Sequence, residues 1–321
     1  MLRTLPRTAS DHARVRPWST PWSCAPGLPA GFTDTFTSHY VDVGEVRLHA
    51  VVGGNGPPLL LIHGWPETWY AWRLLMPALA RDFTVVAVDQ RGRGLSDRPA
   101  GGYDTATLAG DMIGLMDALG HPRFALVGHD TGFAISYAIA ADHGDRVERA
   151  ALIDIPGSPG AAPSPPVFVP GFINDRLWHL PFNRLDRINE QLVSGRERLF
   201  FNWEFDAAAR KLPDEVIDHY VAELTDPDAL RASFEWYRAL DSTIAQDADR
   251  AKRRLTMPVL AIGGGLSFGS HVADALRLVA DDVHGVVLEG AGHFVMEEAP
   301  DELLAALDEF LASYRGAVPV A

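Results

Sequence analysis

The sequence contains little cysteine, little basic charge and no long apolar run. Only one of its 321 residues is a cysteine, Cys24, which excludes an internal disulfide and a cysteine-rich zinc site. Lys and Arg number 28 against 42 Asp and Glu, and the net charge of -14 argues against nucleic acid or an anionic membrane surface as a partner. No apolar run approaches the ~18 residues that a membrane-spanning helix requires. We therefore expect no metal site, no nucleic-acid partner and no membrane partner.

Residues 1–35 follow neither a helical nor a strand pattern. They are rich in Arg, Pro, Ser and Thr, and they have no apolar central stretch of the kind found in a secretory signal. We predict a flexible N-terminal extension over 1–35. A cytoplasmic location is the default expectation, with an organelle or export leader as the alternative.

From residue 36 onward, short apolar runs alternate with helix-length amphipathic stretches. Segments 38–43 and 46–52 alternate in polarity and predict an antiparallel hairpin. Continuous apolar runs predict strands buried on both faces, at 58–62, 83–88, 124–127, 150–153, 259–262 and 283–288. Helices are predicted at 69–80, 105–119, 133–141 and 300–311. Strands that alternate with helices indicate a parallel sheet covered on both faces.

This alternation stops between residues 157 and 254. The segment begins with a Gly- and Pro-rich stretch over 157–166 and continues with helical patterns, without a convincing buried strand. We predict a helical cap over 157–254, inserted into a core formed by 36–156 and 255–316. Such a cap covers the end of the sheet at which open α/β folds bind ligands.

The most informative motif is Gly-His-Asp-Thr-Gly at 128–132, between a predicted strand and a predicted helix. Glycines on both sides of a central residue are typical of a nucleophile elbow, a turn too sharp for larger flanking side chains. The central residue is Asp130, whose carboxylate is anionic at neutral pH and can displace a leaving group from a saturated carbon, forming an alkyl ester. The alternative role of Asp130 is to cap the following helix.

The loop His63-Gly-Trp-Pro66 follows the strand predicted at 58–62. In enzymes with such an elbow, the corresponding loop supplies one N–H of the oxyanion hole, and the residue after the nucleophile supplies the other. The N–H groups of Trp65 and Thr131 are therefore candidates to stabilise the oxyanion that forms when water attacks the ester. A turn with a structural proline is the alternative interpretation.

A base and an acid complete the expected site. His293 lies in Gly-Ala-Gly-His-Phe at 290–294, just past the last predicted strand, and is the candidate general base toward water. The base needs an acid that fixes its tautomer. Because Gly-Gly-Gly at 263–265 offers no carboxylate after the penultimate strand, we assign the acid to Asp154, at the end of the strand before the cap.

These motifs, together with the segment Asp89-Gln-Arg-Gly-Arg-Gly-Leu-Ser-Asp97, resemble those of the epoxide hydrolases and dehalogenases of the α/β-hydrolase superfamily. The resemblance extends over residues 36–311. It implies the α/β-hydrolase fold, with a mostly parallel eight-stranded sheet, helices on both faces and a helical cap inserted between strands 6 and 7. It also implies a hydrolase without a cofactor that forms an alkyl-aspartate ester.

Two cap segments, 176–182 and 233–240, resemble the donor segments of the bacterial inhibitory-factor branch of epoxide hydrolases. In that branch a histidine and a tyrosine protonate the epoxide oxygen. The resemblance therefore implies that His179 and Tyr237 are these donors. A partly buried cap histidine and an aromatic helix face are the alternatives. The branch uses a glutamate as its acid, where this sequence has Asp154.

The expected substrate is a small apolar epoxide, which water converts to a vicinal diol. We place the substrate pocket at His63, Pro66, Trp178 and Trp236, which adjoin the motifs. Cap aromatic residues also suggest an apolar pocket, although several of them are expected to form cap core: Phe168, Phe172, Phe182, Phe200, Phe201 and Trp203.

Two other functions remain open from the sequence. A haloacetate or haloalkane dehalogenase would use the same Asp130 and His293. Against it, Thr131 stands where those enzymes have Arg or Trp, and Leu180 stands where haloacetate dehalogenases have a halide-binding Trp. A ligand-binding protein without activity is permitted by the fold, but it has no need for the full set of motifs. A homodimer through cap surfaces is expected by analogy alone.

Overall fold

The computed structural model of the chain describes residues 22–161, 170–206 and 211–316. Its frame is a sheet of eight strands. In chain order these are β1 (Phe36–Asp42), β2 (Arg47–Gly53), β3 (Pro58–Ile62), β4 (Thr84–Val88), β5 (Phe124–His129), β6 (Val147–Ile153), β7 (Val259–Gly264) and β8 (Val283–Leu288). Across the sheet the order is β1-β2-β4-β3-β5-β6-β7-β8.

Two pairings at one side of the sheet are antiparallel, and all the others are parallel. β1 pairs with β2 and β2 pairs with β4 in antiparallel fashion, whereas every pairing from β4 to β8 is parallel. The predicted hairpin is confirmed by the β1–β2 register, which runs from Phe36 opposite Gly53 to Asp42 opposite Arg47. The predicted α/β-hydrolase fold, with its cap between strands 6 and 7, is confirmed.

Strand β3 illustrates why the apolar runs become central strands. Every residue of the strand is buried. Successive side chains of a strand point to opposite faces, so Leu59 and Leu61 join the apolar cluster on one face, and Leu60 and Ile62 join the cluster on the other. A run without polar residues is therefore what a strand covered on both faces requires.

Helices cover both faces of the sheet. The core helices are α1 (Phe32–Thr35), α2 (Met76–Leu79), α3 (Thr105–Ala118), α4 (Thr131–Asp142), α12 (His271–Leu276), α13 (Val295–Glu298) and α14 (Pro300–Leu311). Apolar side chains of α3, α4 and α12 enter the cluster on one face, and those of α13 and α14 enter the cluster on the other. Among the described residues, no helix has the length and apolar character that crossing a membrane would take.

The helix predicted over 69–80 is wrong as a single helix. The chain forms a 3-10 helix over Trp69–Trp72 and then the short helix α2. Pro77 lies in the first turn of α2. Because proline has no N–H to donate, it is tolerated in a first turn but would interrupt a helix that ran through this point.

The flexible extension predicted over 1–35 is too long at its C-terminal end. Residues 1–21 lie outside the described residues, but the segment from Trp22 onward packs on the core. Phe32 is buried, the Trp22 ring lies 6.3 Å from the ring of Trp69, and the Tyr70 hydroxyl donates to the Pro26 carbonyl. These aromatic contacts outweigh the Pro- and Ser-rich composition that suggested a flexible segment.

The described residues between β6 and β7 form the cap, which is helical. Its helices are α5 (Gly171–Leu177), α6 (His179–Asn183), α7 (Ile188–Val193), α8 (Glu197–Asp206), α9 (Asp214–Leu224), α10 (Pro227–Arg238) and α11 (Leu240–Arg250). Charged and polar contacts attach the cap to the core. Arg98 reaches Glu223 and Asp226, and the Tyr220 hydroxyl donates to Glu297. The cap therefore lies over the C-terminal ends of the parallel strands.

Candidate active site

Asp130 occupies a strained turn between β5 and α4. Its φ of 51° lies in the left-handed region, which L-residues rarely adopt. The flanking glycines are required by space, because a Cβ on Gly128 would collide with the Ser136 hydroxyl, and one on Gly132 would collide with the Ile62 carbonyl. This geometry is that of the predicted nucleophile elbow, and strain of this kind is found preferentially at functional sites.

Both oxygens of the Asp130 carboxylate have partners. Oδ1 accepts a 2.9 Å hydrogen bond from the Trp65 N–H, and Oδ2 lies 3.6 Å from Nε2 of His293. Burial acts to raise the pKa of Asp130, but His293, the charge of His129 and the Trp65 N–H outweigh it and hold that pKa well below its usual value. The carboxylate therefore stays ionised and can act as a nucleophile.

His293 links two carboxylates. Its Nδ1 lies 2.8 Å from Oδ2 of Asp154, and the second oxygen of Asp154 accepts a 2.7 Å hydrogen bond from the Gly264 N–H. Burial acts to lower the pKa of His293, but Asp130 and Asp154 together raise it above its usual value. Asp154 is fully buried, whereas the Asp130 and His293 side chains are 21% and 24% exposed, so a substrate beneath the cap can reach them.

The loop that carries His293 is fixed by a carboxylate that the sequence interpretation missed. The two oxygens of Glu298 accept the N–H groups of Gly292 and Phe294, at 2.9 and 3.0 Å. These residues stand on either side of His293, so the backbone of the histidine is held from both directions. A glutamate five residues after the histidine could have indicated this contact, because the chain turns into α13 there.

A second support, also missed, runs beneath the elbow. His129 lies 2.8 Å from the His293 carbonyl through Nε2 and 3.0 Å from Glu67 through Nδ1. A carbonyl oxygen only accepts hydrogen bonds, so Nε2 of His129 donates to the His293 carbonyl. Glu67 also accepts the Gly64 N–H. The contacts of His129 and Glu67 join the loops that carry Asp130, Trp65 and His293. The spacing of these residues in the sequence does not predict them.

The two candidate oxyanion donors flank Asp130. The Trp65 N–H already donates to the carboxylate, as described above. Thr131 is the first residue of α4, where N–H groups have no acceptor within the helix. The Thr131 hydroxyl lies 3.3 Å from the side-chain nitrogen of Gln90, which fixes the side chain away from the turn. Both N–H groups thus remain candidates for the role that the sequence predicts.

The cap brings His179 and Tyr237 to the indole ring of Trp65. His179 stacks on that ring at a centroid distance of 5.5 Å, Tyr237 meets its face edge-on at 5.3 Å, and the two cap rings are 5.9 Å apart. Burial lowers the pKa of His179 to about 4 and, with the charges of Asp130 and Glu204, raises the pKa of Tyr237 well above its usual value. At neutral pH both groups are therefore neutral donors.

The four predicted pocket residues differ in position. The placement of His63 in the pocket needs correction. His63 is fully buried, its Nδ1 donates to the Gly64 carbonyl, and its Nε2 accepts the Gln90 N–H. It therefore supports the loop and does not line the substrate pocket. Pro66 is also buried, follows a cis peptide bond and offers its carbonyl to Arg93. These contacts use the polar atoms of the loop in folding.

Trp178 and Trp236 are the half-buried members of the pocket set. The Trp178 ring lies 5.4 Å from Phe182 and 5.6 Å from Phe200, while Trp236 packs edge-on against Tyr237 at 5.1 Å. Trp236 also lines a cavity with Trp65 and Thr131. Trp236 is thus closer to the expected reaction site than Trp178.

The cap aromatic residues proposed to form an apolar pocket differ in burial. Phe200 and Phe201 are buried and lie 6.4 and 5.7 Å from the Trp65 ring. Trp203 is 53% exposed and belongs to the surface, because it lies on the opposite side of α8. Phe168 and the side chain of Phe172 lie outside the described residues.

Glu204 is a further residue at this site that the sequence interpretation missed. It is 6% exposed, and its Oε2 lies 3.2 Å from Nδ1 of His179. Burial raises the pKa of Glu204 to about 8. Its spacing from Phe200 and Phe201 places it on the apolar face of α8, which could have signalled a buried carboxyl.

The described residues contain no group of three or more His, Cys, Asp or Glu side chains arranged to hold a metal ion.

The chain was compared with known proteins. Residues 57–300 match a family described as the alpha/beta hydrolase fold. The chain is 34% identical to the soluble epoxide hydrolase of Corynebacterium sp. (strain C12), covering 87% of this chain and 98% of that protein. It is also 34% identical to the fluoroacetate dehalogenase of Burkholderia sp., covering 88% and 96%.

A solved structure supports the same relationship. The wild-type Cfl2 protein of Burkholderia cenocepacia is 36% identical and superposes with a TM-score of 0.83, over 88% of this chain and 98% of that one. The match to the family covers most of the chain. The two hydrolases named above are matched over nearly their whole length. The chain therefore belongs to the α/β-hydrolase family, and it is a hydrolase.

Proposed function

We propose that the protein is an epoxide hydrolase that converts a small apolar epoxide to a vicinal diol through an ester on Asp130. The observation that carries the proposal is the pair of neutral donors, His179 and Tyr237, which meet at Trp65, the residue whose N–H binds the Asp130 carboxylate. An epoxide oxygen becomes an alkoxide when its ring opens and must be protonated, so proton donors opposite a carboxylate suit this leaving group.

The first step is ring opening. Asp130 attacks one carbon of the epoxide, the bond between that carbon and the ring oxygen breaks, and the oxygen receives a proton from His179 or Tyr237. The product is an alkyl ester of Asp130 with a hydroxyl on the neighbouring carbon. Phe200, Phe201 and the Trp65 ring supply an apolar environment in which a small hydrocarbon epoxide is expected to bind.

The second step is hydrolysis of the ester. While Asp130 is ionised, its charge helps to raise the pKa of His293, which then holds a proton. Ester formation removes that charge, the pKa of His293 falls, and the imidazole becomes able to accept a proton from water. Asp154 orients the ring, and the N–H groups of Trp65 and Thr131 stabilise the tetrahedral oxyanion. The base is thus available after alkylation, when it is needed.

Dehalogenation is the second candidate, since a fluoroacetate dehalogenase is as similar in identity as an epoxide hydrolase. The same Asp130 would displace a halide, and His293 would hydrolyse the same kind of ester. A halide leaves without a proton, so this reaction has no use for His179 and Tyr237 as acids. Thr131, in place of a cation for a substrate carboxylate, also favours the epoxide. We therefore place dehalogenation second.

The test is the intact mass of the His293→Gln variant after exposure to panels of epoxides and of halogenated alkanes and acids. We expect a mass increase of one whole epoxide, mapped to Asp130, because alkylation survives and hydrolysis stalls. The Asp130→Ala/His293→Gln double variant is the matched control and should show no adduct. A mass increase equal to the substrate minus hydrogen halide would instead identify the protein as a dehalogenase. Absence of adducts from both panels would contradict the ester mechanism.

A further inference from the structure

Glu204 is a buried carboxyl at the proposed reaction site. It has no role in either of the two steps described above. It lies on α8 between Phe200, Phe201 and Phe205, all of which are buried. Surface glutamates are common in helices, but a buried carboxyl carries a large desolvation cost if it is charged. Such a position is retained without penalty only if the group is neutral or paired.

The polar surroundings of Glu204 define what it can do. Its Oε2 lies 3.2 Å from Nδ1 of His179, and the His293 charge and the Tyr237 hydroxyl are close enough to interact with it electrostatically. Within the described residues, no Lys or Arg comes within ion-pair distance of Glu204. Among the residues that the structure describes, the His179 ring is the titratable group placed within hydrogen-bonding distance of this carboxyl.

We propose that Glu204 is a proton donor to His179, so that a carboxylic acid and an imidazole act in series during ring opening. The inference rests on the proposed function and deepens it. His179 gives its Nε2 proton to the ring oxygen, while Nδ1 accepts the proton of the Glu204 carboxylic acid. The N–H and O–H bonds that break are balanced by one new N–H bond and one new O–H bond. His179 ends neutral in its other tautomer, and Glu204 ends as a carboxylate.

This arrangement solves a chemical difficulty of a neutral histidine donor. Burial lowers the pKa of His179 to about 4, so the ring carries no extra proton at neutral pH, and loss of its single proton would leave an imidazolate. Burial raises the pKa of Glu204 to about 8, so its carboxyl is protonated under the same conditions. His293 releases one proton to solvent when ester formation lowers its pKa. Solvent returns one proton to Nε2 of His179, and Nδ1 gives its proton back to Glu204, so that both groups regain their starting state.

The experiment follows alkylation separately from hydrolysis. The experiment uses the His293→Gln variant and an epoxide that alkylates it. Rapid-quench mass spectrometry measures the rate of adduct formation between about pH 6 and 10, a range set by the usual pKa values of these groups. Glu204 is the group facing His179 that titrates in this range, because the pKa of Tyr237 lies above it and that of His179 below. We expect the rate to fall as pH rises through the pKa of Glu204.

The decisive comparison adds Glu204→Gln to the His293→Gln background. We expect the adduct to form about 10- to 100-fold more slowly at neutral pH and the fall at high pH to disappear, because an amide cannot supply the proton. Glu204→Asp, which keeps an acid, should retain the fall. Glu197→Gln makes the same change in the first turn of the same helix and should behave as the parent.

Two results would overturn the proposal. A Glu204→Gln variant that keeps the fall at high pH, whatever its rate, would reduce Glu204 to a packing residue. An unchanged rate would remove even that role. If no epoxide alkylates His293→Gln at all, the proposed function fails and this inference fails with it. Adducts with an unaffected pH profile would contradict the role of Glu204 alone.

Discussion

The core half and the cap half of the site are held in different ways. In the core, the Asp130 and Asp154 carboxylates accept hydrogen bonds from backbone N–H groups, and the backbone N–H groups on either side of His293 donate to Glu298. In the cap, His179 and Tyr237 are held by ring packing around Trp65. Among the described residues, Nδ1 of His179 and Oε1 of Glu204 are buried without a well-aligned hydrogen bond.

The difference fits the role that we propose for each half. A nucleophile and a base must meet their targets within a fraction of an ångström, and backbone hydrogen bonds provide that precision. The proposed proton donors in the cap must adapt to the oxygen of a substrate that arrives, and aromatic packing against Trp65 positions their rings. The predictions below test whether this division between the halves is real.

The largest effect is expected at the nucleophile. Asp130→Ala should lower turnover of an accepted epoxide by about 10⁴-fold or more, because no other described carboxylate touches both Trp65 and His293. The melting temperature should stay near that of the parent, since the side chain is partly exposed. Turnover assays and thermal denaturation check this together. Activity that survived would remove the core half from the reaction.

Asp154→Asn should be the next most damaging change. Loss of the charge and of the acceptor at Nδ1 misorients His293, and we expect turnover to fall by about 10³- to 10⁴-fold. Because the defect lies in the second step, an Asp130 adduct should accumulate and be visible by intact mass. The surface variant Asp241→Asn serves as its control. A loss of turnover without any adduct would place the role of Asp154 before ring opening.

The cap half is tested through its packing. Phe201 is fully buried, whereas Trp203, two residues later on α8, is 53% exposed. Phe201→Ala should lower the free energy of unfolding by about 3–5 kcal/mol, because it removes a ring from a filled core. Trp203→Ala should change it by less than about 0.5 kcal/mol. Chemical denaturation measures both, and equal effects would show that the ring cluster does not hold the cap.

The smallest effect is expected at the cap donor Tyr237. Tyr237→Phe keeps the ring contacts and removes the hydroxyl, so epoxide turnover should fall by about 10- to 100-fold while His179 remains as a donor. Activity on any halogenated substrate should stay unchanged, because a halide needs no proton. A parallel loss on both substrate classes would indicate a packing role for Tyr237.

The sequence was sufficient to predict the central strands. It was also sufficient to select the three candidate residues that the structure brings together in the core half, Asp130, Asp154 and His293. Runs such as 58–62 are buried on both faces, so their composition alone identifies them, and the glycines around Asp130 are dictated by space. The segment 22–35 was misjudged because its order comes from Trp69 and Tyr70, far along the chain. Local composition carries no information about such partners.

The supports of the site were harder to find for the same reason. Glu67 contacts His129, and Glu204 contacts His179, across separations that no spacing rule covers. A glutamate in a helix is usually exposed. The spacing of Glu204 from Phe200 and Phe201 indicates its burial, but it does not indicate the contact with His179. The candidate reacting residues can be recognised from sequence motifs. The residues that position them or return protons to them can be recognised only from tertiary contacts.

The position of Asp154 has a consequence for how such proteins diversify. The chain leaves the sheet for the cap directly after this residue, and it returns as β7, whose Gly264 N–H binds the same carboxylate. Asp154, which precedes the insertion, is thus bonded to the C-terminal end of the strand that follows the insertion. The intervening segment can be exchanged or lengthened while that junction stays closed. In the proposed mechanism, substrate range and ester hydrolysis are therefore separately variable, and a transplanted cap should change what is bound before it changes how the ester is cleaved.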